Sequence, residues 1–351
     1  MKTNRLQRHS VAFLLGAAML AGMSSCESIY DKDQKCDPTY KVKFVYDMNM
    51  DYADAFAAKV NSVDLYVFDA TDGDLKGVYR ESGPALAQEG YTITLDLEPG
   101  DYDFIAWCGL DGNEGQFTVP QTVTAKHDLG CTLTRDRDAS GKATSDKDLY
   151  GLYHGKLSAN LPDDADEHLY TIELVKNTNN INLSLQELSG KPLDPDRFDI
   201  KLHASNGFMA YDNSWDDNEE EIEYNPYRKV GGSASVGTKA DDDVITNDMV
   251  VAELSTARLW AEKNPVIDII DNENGETVYS IPLVKWALML KSSQYSRMKD
   301  QEYLDREDEY NVVLYISAKG DIVPEDPNQY IAVSVMINGW RLVLNGDTEL
   351  H

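Results

Sequence analysis

The chain has 351 residues, 61 of them Asp or Glu against 32 Lys or Arg, for a formal net charge of −29. A field this negative repels phosphate backbones and anionic lipid, which excludes a general nucleic-acid binder. The length is enough for two domains of ordinary size.

Residues 1–25 place Lys2, Arg5 and Arg8 ahead of an apolar run from Val11 to Met23, with Ser24 and Ser25 before Cys26. A basic start, a short apolar core and small residues at the cut predict a secretory signal peptide. The run is shorter than the roughly 20 apolar residues a membrane-spanning helix needs. A cysteine directly after the cut resembles the lipobox of bacterial lipoproteins, although Met23 departs from the leucine commonest at its position. That resemblance implies a lipid chain on Cys26, the new N-terminus. Losing residues 1–25 removes three basic side chains and no acid, so 29 basic residues face 61 acidic ones and the charge becomes −32. Glu27, Asp31 and Asp33 resemble the surface-export signal of Bacteroidetes lipoproteins, which implies the outer face of the outer membrane. Residues 26–39 then form a lipidated linker.

From Tyr40 the apolar period is two, the mark of half-buried strands. Lys41–Tyr46 alternates, Ala53–Val60 reads as a short helical turn, and Ser62–Asp69 is a strand ended by the hairpin signal Asp72-Gly73. Tyr91–Leu97 and Asp101–Cys108 flank Pro99-Gly100 and read as a hairpin. Shorter strands are expected at Phe117–Val123, Gly130–Leu133 and Leu149–Leu157. Arg135–Lys147 is polar and without apolar period. Proline and four acids in Leu161–His168 mark a domain boundary, giving domains over 40–160 and 161–351.

In the second half, strands are expected at Thr171–Val175, Asn180–Leu188, Phe198–Ala204, Ser255–Ala261, Val266–Asp271, Tyr279–Leu290, Tyr310–Ser317, Tyr330–Ile337 and Trp340–Leu344. Gln301–Glu309 reads as a charged helix turn. The polar stretches Trp215–Glu223 and Gly231–Asp243 read as one long loop region. The fold class is therefore all-β, two β-sandwiches in tandem.

Catalytic constellations are missing from the sequence. It has no G-x-S-x-G, H-E-x-x-H, P-loop or Gly-rich dinucleotide turn, and its histidines never take ligand or triad spacing. The carboxylates in Asp212–Asp217 and Asp241–Asp243 are of the hard type calcium prefers but lack the EF-hand order; they read as solvated loops. No enzyme activity, cofactor or metal is expected. Trp215 and Trp260 are candidate stacking surfaces for a glycan, beside the commoner use of tryptophan as core. Of the four cysteines, Cys26 is assigned to lipid. Cys36 with Cys108 is the first candidate disulfide, and Cys36 with Cys131 stays open.

The chain resembles the fimbrial anchor and accessory subunits of Bacteroidetes, the type V pilus lipoproteins. The features that carry the likeness are Cys26 with Cys36 in KCDP, VDLYVFD at 63–69, LEPGDYDFIAWCGL at 97–110, LYGLYHGKL at 149–157 and VSVMINGWRLV at 333–343. The resemblance implies tandem transthyretin-like β-sandwiches at one end of a fimbria. Its partners would be a fimbrillin or other fimbrial subunits, joined by strand addition, and the outer membrane, through the lipid anchor. The second expectation is a surface lipoprotein that binds a glycan or protein, with Trp215 or Trp260 in its binding face and a host or bacterial surface as ligand.

Overall fold

The computed structural model describes residues 37–112, 114–237, 244–318 and 330–343. β1 (Thr39–Val45) buries Tyr40, Val42 and Phe44 and turns the residues between them outward. After the short helix α1 (Phe56–Lys59) come β2 (Ser62–Asp69), β3 (Leu75–Ser82), β4 (Ile93–Leu95) and β5 (Gly100–Cys108). Four short strands follow: β6 (Phe117–Thr118), β7 (Cys131–Leu133), β8 (Asp136–Arg137) and β9 (Ala143–Ser145). Then β10 (Tyr153–Leu161) and β11 (Glu167–Lys176) return to the first sheet, whose strand order is β3-β2-β5-β10-β11-β1-β4.

β11 turns this sheet into a sandwich. Its Glu167–Glu173 stretch pairs in parallel with β1, while Leu174–Lys176 pairs antiparallel with β10. One strand thus belongs to both layers. Val42, Phe44 and Ile172 on one side meet Leu65, Val67, Phe104 and Ala106 on the other. Gly155 sits at the seam, where a Cβ would lie 2.5 Å from Ile172 Cγ2 and 2.8 Å from the Glu173 carbonyl oxygen.

The chain continues through β12 (Thr178–Glu187), β13 (Phe198–Ala204), β14 (Phe208–Met209), β15 (Ile222–Tyr224), β16 (Arg228–Gly237), β17 (Val244–Ala257), β18 (Val266–Asp271) and β19 (Glu276–Pro282). Helices α2 (Leu283–Met289) and α3 (Asp300–Arg306) precede β20 (Glu309–Ala318), β21 (Tyr330–Ile337) and β22 (Trp340–Val343). Two sheets result, ordered β16-β17-β12-β20-β21-β22 and β19-β18-β13-β15-β9-β8, with a small third sheet β14-β7-β6. Ile181, Leu183, Leu185, Ile200, Leu202, Ile267 and Leu314 fill the space between them. The same apolar cluster takes in Tyr66, Phe68, Ile105 and Trp107 from the outer face of the first sandwich, so the two halves share a core.

The all-β class holds, and several local expectations change. The chain crosses the expected 160/161 boundary in both directions. β9 pairs in parallel with β15 of the second half, while β11 belongs to the first. β4 and β5 are not a hairpin: β4 pairs with β1, and β5 with β2 and β10. The Pro99-Gly100 turn carries the chain between layers. Gly231–Gly237, expected as loop, is strand because β17 supplies a full antiparallel ladder; residues 238–243 lie outside the described residues. The expected Tyr279–Leu290 strand breaks at Pro282, beyond which Leu283, Val284, Trp286 and Ala287 are buried at helical spacing.

Candidate functional site

One residue links a strand of the first sandwich directly to a strand of the second. β11 ends at Lys176 and β12 begins at Thr178, so only Asn177 separates a strand of the first sandwich from a central strand of the second. Asn177 is fully buried, and its N–H donates to the Leu152 carbonyl at 2.7 Å. Its side chain exchanges hydrogen bonds with that of Asn213, at 2.7 and 3.1 Å. Asn213 has φ 67°, a left-handed backbone that Asn tolerates better than most residues. Its carbonyl accepts from Arg258 Nη1 at 2.6 Å, and the Arg258 fork is held by Asp305 at 2.8 and 2.9 Å.

Further ties flank this joint. Lys176 pairs with Asp308. Arg306 donates to the carbonyls of Asp47 at 2.9 Å and Asn49 at 3.2 Å, and its guanidinium lies 4.5 Å from the Tyr52 ring centre. Beside Arg306, burial pushes the Glu307 carboxyl up to about 7, with Asp308 and Glu309 adding like charge. His154, packed on Trp107 at the same junction, is driven down to about 4 by burial.

The sheet edges are where another chain can add a strand. β3 carries Lys76 and Arg80, charges that blunt an edge, and β4 and β8 have only three and two residues. β22 has four described residues. β19, the edge of the other large sheet, has seven residues and one charge, Glu276. β16 is longer, running for ten residues, and among the described residues it pairs only with β17. Its charges, Arg228 and Lys229, stand at its start, where they hold Glu253 and the Phe198 carbonyl. From Val230 to Gly237 the strand is uncharged.

The fold brings Trp215 and Trp260 together, edge to face, with ring centres 5.9 Å apart. Trp260 lines a cleft of about 230 Å³ with His203, Asp217, Glu219, Arg258 and Lys263. Trp260 itself is only 3 % exposed. Trp215 Nε1 donates to Asp217 at 2.9 Å, and Lys263 Nζ lies 5.2 Å from the Trp215 ring centre. Lysine therefore already occupies that ring as a cation–π partner. In the Asp212–Asp217 stretch, Asp212 and Asp216 accept from residues two further on, as turn-forming aspartates do. Asp241–Asp243 lies outside the described residues.

Cys26 and Cys36 also lie outside the described residues. Cys108 and Cys131 are buried free thiols, both raised far above the ordinary thiol range by burial. The Cys36–Cys108 disulfide does not fit this placement. Cys108 is level with Tyr153 and Lys176, whereas Thr39 is level with Glu167, nine residues back along β11. At 3.3 Å per residue that is about 30 Å. The three residues from Thr39 to Cys36 span at most about 10 Å. Cys131 sits in the other core, on β7 between β6 and β14.

With this geometry in view, the model of the fimbrillin-A associated anchor proteins Mfa1 and Mfa2 matches residues 32–346. The chain belongs to this anchor family. A candidate adhesin from Bacteroides thetaiotaomicron is 33% identical, covering 89% of this chain and 100% of its own, with a TM-score of 0.74. A candidate polysaccharide-binding protein from the same species is 26% identical over 90% of this chain and all of its own, with a TM-score of 0.71. The fimbrial anchor protein Mfa2 from Porphyromonas gingivalis has the same fold at 19% identity, 88% and 100% coverage and a TM-score of 0.65. No curated protein sequence matches the chain.

For an anchor-family chain, fimbrial association at the cell surface follows from membership. Sequence reasoning missed the Asn177 joint and the β16 edge. The first had a faint signal, Asn177 and Asn179–Asn180 amid apolar alternation. The second was hidden by its Gly/Ser composition.

Proposed function

We propose that the protein is a non-enzymatic outer-membrane lipoprotein, held by a lipid on Cys26, that anchors or ends a fimbrial polymer by β-strand addition. The observation that carries the strand-addition reading is the ten-residue β16 edge, uncharged from Val230 onward and unpaired on its outer side among the described residues. Main-chain hydrogen bonds along such an edge give grip without side-chain specificity. The family match begins at residue 32, close behind Cys26, which suits a subunit tethered at its N-terminus. A photo-crosslinking residue at Val230 in the native host tests it. The expected adduct is with a fimbrial subunit; attached fibres without any adduct there would remove β16 from the mechanism.

A second reading, a surface adhesin for a glycan or protein, is favoured by the likeness to the candidate adhesin and the candidate polysaccharide-binding protein of Bacteroides thetaiotaomicron. Its site would be the Trp215/Trp260 cleft. Calorimetric titration with host and bacterial polysaccharides decides it: heat abolished by Trp260→Ala supports it, and no heat with any of them counts against it.

A further inference from the structure

We propose that the β1/β11 strand pair is the load-bearing joint of the anchor, arranged so that a pull between fibre and membrane shears it. This rests on the reading that the chain is tethered at Cys26.

The argument is one of polarity. The tether enters β1 at Thr39, and β11 leaves at Lys176 into β12. The two strands are parallel, in seven-residue register from Thr39↔Glu167 to Val45↔Glu173. A pull toward the membrane at the start of β1 and a pull toward the fibre at the end of β11 therefore run along the strands in opposite senses. All seven positions resist together. Had the pair been antiparallel, both exits would lie at one end, and the ladder would open one hydrogen bond at a time.

Side chains oppose sliding as well. A one-residue slip carries every inward side chain to the outer face, and here that set is Tyr40, Val42 and Phe44, each at most 4 % exposed. Tyr40 Oη also donates to the Pro162 carbonyl at 2.6 Å, and Lys41 pairs with Glu167 at 2.6 Å. On its other side β1 is held by β4 through Tyr40, Lys41 and Val42.

Beyond the ladder the load has one covalent step to make. Asn177 joins β11 to β12, stapled by Asn213 and by the Leu152 carbonyl, so tension does not pass through a loop. β12 is then gripped on both sides, by nine residues of β17 and eight of β20. β17 is the neighbour of the open β16 edge. Membrane tether, β1, β11, β12, β17 and β16 form one continuous path of strands.

Single-molecule pulling in two geometries tests this on the chain from residue 26 onward, with Cys36→Ser leaving Cys26 as the accessible native thiol. In one geometry the handles are Cys26 and Val230→Cys on β16. In the other they are Cys26 and Ala165→Cys, in the exposed turn before β11, where Thr39 N–H donates to the Asp166 carbonyl at 3.1 Å. The second pulls the same two strands apart from their shared N-terminal end. The expected result is a first rupture several-fold stronger in the Val230 geometry than in the Ala165 geometry. Equal forces, or a Val230 geometry that yields first within the second sandwich, would overturn the proposal. An unmodified Cys26 in the native host would instead overturn the tether reading and leave the directional resistance standing.

Discussion

Asn177 and Asn213 satisfy each other across the junction of two sandwiches, each side chain both donating to and accepting from the other out of reach of solvent. Here β11 of the first sandwich passes into β12 of the second, and the buried polar groups have no water to fall back on. Removing one amide strands the other. Asn177→Ala should cost about 2–4 kcal/mol, the loss of two hydrogen bonds plus a buried amide left unpaired. Chemical denaturation measures it. Pairing it with Asn213→Gly, which keeps the left-handed backbone accessible, should recover part of that loss as a coupling above about 1 kcal/mol.

Glu307 makes stability depend on pH near neutrality. Its folded value of about 7 lies above the ordinary 4.5, with burial the main cause. The native state therefore keeps a proton that the unfolded chain releases between those values. Stability contributed by Glu307 is whole below pH 4.5, falls as pH rises, and is gone above 7. Glu307→Gln should be more stable than the wild type at pH 8 by on the order of 2 kcal/mol, allowing for its partial exposure. Denaturation curves at pH 4.5 and 8 should show the gain only at the higher pH.

Strands with one wet face were legible in the sequence. Phe198–Ala204 and Val266–Asp271 match the observed elements because alternation of burial is written into their residues, whereas Ser62–Asp69 was legible from its β-branched and aromatic content and is buried on both faces. Partners were not legible. Nothing local says that β4 pairs with β1 rather than with β5 across Pro99-Gly100, or that Ala143–Ser145, besides pairing with its neighbour β8, joins β15. β16 was hidden because its glycines and serines have little strand propensity of their own, and a long partner strand provides the ladder. The Trp215/Trp260 contact was half visible: both residues were singled out, but not that they touch.

Gly155 tests the seam of the first sandwich. A methyl group there would fall 2.5 Å from Ile172 Cγ2 and 2.8 Å from a backbone oxygen that cannot swing away. Gly155→Ala should destabilise the fold by about 1–3 kcal/mol through overpacking, measured by thermal or denaturant unfolding. A neutral substitution would mean β10 and β11 are looser than their pairing implies.

The thiols offer a separate check. Cys108 and Cys131 should resist a thiol reagent in the native protein and react only on unfolding, because both are buried. Non-reducing peptide mapping should find no Cys36–Cys108 link; such a link would require β1 to leave its place beside β11.

The central claim, a lipid tether at Cys26 holding fibres to the outer membrane, is tested most directly by Cys26→Ala in the native host, with fibres counted on cells and in the medium. The expected result is fibres shed into the medium while the protein is still made. Fibres retained on the cells at wild-type numbers would contradict it.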